Sequence, residues 1–234
     1  VTGRFVVVTG TGTGVGKTVA TAALAAVAVA AGERVAVLKP AQTGVGPDDP
    51  GDVDEVARLV PGVTTRELAR YPDPLAPATA ARRCGARPVT PEQAAVTART
   101  LADHHDLVLV EGAGGLLVRF TDEGGTLADV ARLLGAPVVV VAAAGLGTLN
   151  HTALTVEALR ARGLSCAGIV IGSWPAEPDL AERCNLQDLP MITRTLVRGL
   201  LPEGLGRVTP DRFAAVARDT LGPIQLGDWQ DPRA

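Results

Sequence analysis

Residues 5–18 read Phe5-Val6-Val7-Val8-Thr9-Gly10-Thr11-Gly12-Thr13-Gly14-Val15-Gly16-Lys17-Thr18. The first five form an apolar, β-branched run, as expected of a strand buried on both faces of a parallel sheet. A glycine-rich turn follows and opens directly into an alanine-rich helical stretch over 17–31, stopped by Gly32. Glycines let a backbone fold around an anion with its N–H groups turned inward, and the helix N-terminus adds partial positive charge. In such a loop Lys17 reaches the β- and γ-phosphates and the Thr18 hydroxyl ligates Mg²⁺, so Gly14, Val15, Gly16, Lys17, Thr18 and Val19 are expected to hold nucleotide. The standard spacing places glycine at position 11, where this chain has threonine; Gly10 makes the loop one residue longer. The strand before, the helix after and the Gly16-Lys17-Thr18 core still point to a nucleoside triphosphate site.

Outward from that loop the pattern alternates. Strands are expected over 5–9, 35–38, 107–110, 138–141 and 167–171, with helices over 91–105, 126–134, 149–162 and 210–221. This predicts an α/β fold: a doubly wound, mainly parallel sheet of the P-loop NTPase type, helices on both faces. A single domain over 1–221 is expected, with a loose tail over 222–234. In such sheets ligands sit at the carboxyl ends of the strands. Two longer loops there, 41–51 and 71–91, are expected to be ordered around ligand; the second holds five prolines.

The chain has 234 residues, a formal net charge of -3 and 3% aromatics. That length is ample for a real core. Near-neutral charge and few aromatics argue against a nucleic-acid binder. Cys84, Cys166 and Cys184 are odd in number and far apart, which suggests neither a disulfide framework nor a CxxC site. With no targeting segment in view and apolar runs shorter than the about 18 residues of a membrane span, a cytoplasmic protein is expected.

Only Lys17 and Lys39 are lysine, so 20 of the 22 basic residues are arginine. Arginine cannot replace a compact ammonium that must meet a phosphate as a point charge. Lys39 ends the second expected strand, on the same edge as the phosphate loop. Glu111 ends the third, ahead of Gly112-Ala113-Gly114-Gly115, and suits a magnesium ligand opposite Thr18. Asp52, opening a helical run with Val53, Val56, Leu59 and Val60, is a candidate second carboxylate; Asp48, Asp49 and Asp54 compete, and a helix N-cap explains it nearly as well.

The phosphate loop, Lys39-Pro40-Ala41-Gln42-Thr43-Gly44, Val110-Glu111-Gly112-Ala113-Gly114-Gly115 and Gly145-Leu146-Gly147-Thr148-Leu149-Asn150-His151 together resemble the dethiobiotin synthetase family. The likeness runs from Val6 to about Pro202, in order and spacing. It implies closure of a ureido ring from 7,8-diaminopelargonic acid, CO₂ and ATP with Mg²⁺, by a homodimer. It also implies Lys17 and Lys39 as catalytic residues, and Thr18, Asp52 and Glu111 as magnesium ligands. Thr13, Lys39 and Thr43 would bind substrate, and Glu111, Gly112, Ala113 and Gly114 would border the nucleotide. The loop Gly147, Thr148, Leu149 and Asn150 would reach the partner subunit's site, where a helix N-terminus suits the substrate carboxylate.

One departure stands out. Where the family usually carries an asparagine that reads adenine, this chain has Gly172-Ser173-Trp174, while Leu200, Leu201 and Pro202 match the other wall of the base pocket. Glycine cannot make that hydrogen bond, so relaxed nucleotide choice is expected. Partition- and iron-protein-type dimeric switch ATPases share the expected fold, but their loop carries a further lysine at the position of Gly12.

Overall fold

The strands are β1 (Arg4–Gly10), β2 (Val35–Thr43), β3 (Thr64–Tyr71), β4 (Leu107–Gly115), β5 (Val138–Ala142), β6 (Cys166–Trp174) and β7 (Val197–Pro202). They form one sheet in the order β3-β2-β4-β1-β5-β6-β7, every neighbouring pair parallel. The structure, a computed structural model, describes residues 3–221, so the expected tail over 222–234 lies outside the described residues. Helices α1 (Lys17–Ala30), α2 (Asp52–Leu59) and α8 (Pro210–Leu221) pack on one face, and α3 (Pro77–Cys84), α4 (Pro91–Ala102), α5 (Leu127–Leu134), α6 (Thr148–Arg160) and α7 (Leu180–Thr193) on the other. The strand pleat sorts the core between these layers: Val7 joins the α3–α7 side, Val6 and Val8 the α1 side. No helix among the described residues is long and apolar enough to cross a membrane.

All five expected strands are present, and the two not read from the sequence are the sheet's edges, β3 and β7. The segment 71–91 is not all loop: Pro77 opens α3, because proline fits a helix's first turn, where its missing N–H costs nothing. The 41–51 loop is shorter than expected, since β2 runs on to Thr43 and α2 begins at Asp52. The expected 91–105 helix ends at Ala102, and the 149–162 helix starts one residue earlier and stops at Arg160.

α1 explains its own composition. Six of its alanines are buried, and the small side chains let it lie close against the sheet between α2 and α8. That packing fixes the helix whose N-terminus faces the site. Central β1 lies between β4 and β5, so its carboxyl end sits where the chain's crossovers part to either side.

Candidate active site

Gly14 and Gly16 take φ of 75° and 89°, a left-handed backbone that side chains resist, and so the phosphate loop curls onto α1. The first turn of α1 holds no acidic residue and Gly16 offers no capping side chain, so the helix's positive end is left for an anion. Lys17 is largely buried and donates to the Gly12 carbonyl at 3.0 Å, folding its ammonium back over the loop. Burial pulls that ammonium below the ordinary lysine range and nearby Lys39 lowers it further, against the opposing pull of Glu111 and Asp52.

Lys39 is 2% exposed and Glu111 1%. The Lys39 ammonium donates to Glu111 Oε1 at 2.8 Å and to the Gly112 carbonyl at 3.0 Å, and lies 2.5 Å from Asp52 Oδ2. Burial alone would lower Lys39, but Glu111 and Asp52 more than offset it and hold the group above its usual range. Burial raises Asp52, but the Lys39 ammonium reverses the shift with help from the Thr18 hydroxyl, leaving the carboxyl below the usual range. The Thr18 hydroxyl donates to Glu111 Oε1 at 3.0 Å. Asp54, by contrast, accepts the Gly51 N–H at 2.7 Å and so caps α2, while Asp49 accepts the Gly46 N–H within its own loop.

Thr18, Asp52 and Glu111 thus converge as one hydroxyl and two carboxylates. Among the described residues no group of three or more His, Cys, Asp or Glu could hold a metal. An all-oxygen set this small fits Mg²⁺, which keeps waters and takes further ligands from phosphates, rather than zinc or calcium.

A cavity of about 730 Å³ opens over this cluster, lined by Thr13, Gly14, Gly16, Lys17, Thr18, Val19, Lys39, Thr43, Asp52, Ala113 and Gly114 of the expected set. Glu111 lies buried beneath it. The sequence reading gave no role to Gln42, Pro74, Leu75, Ala76, Pro77 or Val118, which line the same space. The 71–91 segment therefore does border the site, through the turn before α3 and the first residue of that helix.

The remaining expected residues do not line this cavity, although the Gly112 carbonyl accepts from Lys39 and Val15 belongs to the phosphate loop. Gly172, at the end of β6, packs backbone to backbone on the phosphate loop: a Cβ there would fall 2.0 Å from the Val15 carbonyl oxygen. Ser173 is exposed beside it. Of the other expected base wall, Leu201 turns fully into the core with α1 and α8, leaving half-buried Leu200 and exposed Pro202 to border solvent. Gly147 and Asn150 are exposed and Leu149 half-buried at the start of α6. Thr148 is buried, with its hydroxyl 3.4 Å from that of Thr152. Neither Thr148 nor Asn150 caps the helix; Gly147 holds that position.

Fold and site define a P-loop NTPase, and a family model described as an AAA domain matches residues 4–206. The ATP-dependent dethiobiotin synthetase BioD of Streptomyces avermitilis is 65% identical over 200 residues, which cover 86% of this chain and 84% of that protein. Its counterpart from Mycobacteroides abscessus is 51% identical over 189 residues, 81% and 82% of the two chains. The chain belongs to the dethiobiotin synthetase family. Among solved structures it is similar to the septum site-determining protein MinD of Pyrococcus horikoshii, with a TM-score of 0.62, 14% identity and 98% and 99% of the chains covered. A ParA family ATPase from Chlorobium tepidum matches with a TM-score of 0.59 and 13% identity, covering 97% of each chain. At such identity these two show the shared fold alone.

Proposed function

We infer that this chain is a cyclo-ligase that closes the ureido ring of dethiobiotin from 7,8-diaminopelargonic acid, CO₂ and ATP, with Mg²⁺. The observation that carries the reading is the pair Lys17 and Lys39, the chain's only lysines, on one cavity with Thr18, Asp52 and Glu111. In this chemistry one substrate amine adds to CO₂ and loses a proton, giving a carbamate. A carbamate oxygen attacks the γ-phosphorus and displaces ADP, forming a carbamic-phosphoric anhydride. The second amine attacks that carbonyl and gives up a proton, phosphate leaves with the C–O electron pair, and the ring closes. Each stage gathers negative charge on adjacent oxygens, so the protein's task is positioning and electrostatic clamping.

Lys17 serves the β- and γ-phosphates from the loop, and Lys39 the carbamate and γ-phosphate oxygens. Their positive charge also favours the neutral, nucleophilic form of a nearby substrate amine. Thr13 and Thr43 offer hydroxyls at the cavity wall for the diamine and carbamate. Thr18, Asp52 and Glu111 would hold Mg²⁺, which would supply charge neutralisation for the transferred phosphoryl group. We propose that Gly147, Thr148, Leu149 and Asn150 reach a second copy of the chain in a homodimer, where the α6 N-terminus meets the substrate carboxylate, and that the protein works in the cytoplasm. A reaction run on ¹³C-bicarbonate tests the chemistry. One labelled carbon, at the ureido carbonyl of the product, is expected; unlabelled product, or label lost to solvent without ring closure, contradicts it.

A further inference from the structure

Arg70 lies near the end of edge strand β3, in register with Gln42 of β2. Its guanidinium forks onto Glu67, with Nε 2.7 Å from Oε1 and Nη2 3.0 Å from Oε2. The remaining side, Nη1, donates to the carbonyls of Gly46 (3.2 Å) and Asp49, inside the loop that leads to α2. Nη2 is also 3.6 Å from the carboxylate of Asp54, the residue that caps that helix. One side chain therefore ties the loop and the first turn of α2 to the sheet edge. A planar fork with five N–H donors can do this; a lysine could not.

Gln42 completes the clasp from β2. Its buried side chain accepts the Asp52 N–H at 2.9 Å and donates to the Thr43 carbonyl at 3.2 Å. Gly51 sits between the two devices: a Cβ there would lie 3.0 Å from Arg70 Nη2 and 3.1 Å from Gln42 Oε1. The start of α2 is thus held from two strands. What it carries is the Asp52 carboxylate, 2.5 Å from Lys39. A carboxylate borne on the first residue of a short helix after a long loop has no such fixed position by itself, and cation sites lose strength with displacements near 1 Å.

We propose that Arg70, acting with Gln42, is a positioning residue that sets the Asp52 carboxylate for the divalent cation. This rests on the reading of Asp52 as a cation ligand. The rival role, a salt bridge that merely stiffens the sheet edge, separates in a double-mutant cycle. Mn²⁺ binding to the full chain with ADP, followed by electron paramagnetic resonance, is measured for wild type, Arg70→Met, Asp52→Ala and the double variant. Arg70→Met is expected to weaken Mn²⁺ about 10-fold, and the double variant to bind no more weakly than Asp52→Ala. Gln42→Met, in the same cycle, is expected to give the same pattern and carries the test should Arg70→Met not fold. Weakened binding by Asp52→Ala but unchanged affinity in the clasp variants, or losses that multiply in the double variant, overturns the positioning role alone. An Asp52→Ala variant that binds Mn²⁺ like wild type overturns the ligand reading and the clasp with it.

Discussion

Lys39 and Glu111 form an ion pair at 2.8 Å with both side chains out of solvent, and Asp52 closes on the same ammonium from α2. Removing the cation leaves two carboxylates facing each other without the ammonium that neutralises them, a change that costs about 3–5 kcal/mol for a buried pair. Lys39→Met is therefore expected to lower the denaturation midpoint clearly, and to cut turnover by roughly 10²–10³-fold through loss of a charge-stabilising donor. Adding Glu111→Gln should restore much of the stability and none of the turnover. Urea unfolding and steady-state rates on both variants check this; a Lys39→Met protein as stable as wild type contradicts it.

Gly172 and Gly16 meet so closely that a Cβ on either would fall 2.0–2.5 Å from a carbonyl oxygen of the other segment. Gly172→Asn would put back the side-chain type through which the family reads adenine, but here it pushes on the phosphate loop. Weaker binding of ATP, GTP, CTP and UTP alike is expected, without a new adenine preference, in nucleotide titrations. The unaltered chain is expected to turn over all four triphosphates at saturating diamine; a strict requirement for ATP would defeat that expectation.

Arg34 binds Asp106 with its backbone N–H at 2.9 Å and its guanidinium at 2.8 Å, joining the segments that enter β2 and β4. The Arg34 side chain, then its backbone N–H, hold the Asp106 carboxyl well below the usual carboxylate range. A depressed folded-state carboxyl contributes stability at neutral pH that is lost as pH falls, because the unfolded chain takes up the proton first. Asp106→Asn should unfold earlier than wild type near neutral pH, and the gap should shrink steadily from about pH 5 down to about pH 3. Thermal melts across that range check the sign; a gap that widens in acid contradicts it.

The parts legible in the sequence are those where chemistry and period coincide. Val6-Val7-Val8 and Val138-Val139-Val140-Val141 are buried on both faces, so their composition alone marks them as strands. β3 escapes this reading because an edge strand needs no apolar run: Thr64-Thr65-Arg66-Glu67-Leu68-Ala69-Arg70-Tyr71 buries only its last residue fully. α7 was missed although Asp179 and Glu182 form a reciprocal capping box, a four-residue signal that the internal Pro190 and mixed composition obscured. In the site, Lys17, Thr18, Lys39 and Glu111 stood out by type and by position at strand ends. Asp52 could not be separated from Asp48, Asp49 and Asp54 by sequence, since its approach to Lys39 depends on where α2 starts, and that start meets Gln42 and Arg70, side chains from two different strands. The apolar wall from Pro74 to Pro77 was likewise hidden, because it faces the phosphate loop only through the fold.

The most direct test of the ring-closing account is phosphate release from ATP with Mg²⁺ and bicarbonate, measured with and without 7,8-diaminopelargonic acid. Release is expected only when diamine and bicarbonate are both present, with dethiobiotin, identified by its mass, appearing in equimolar amount. Phosphate release indifferent to the diamine would contradict it and favour a switch ATPase built on the same fold.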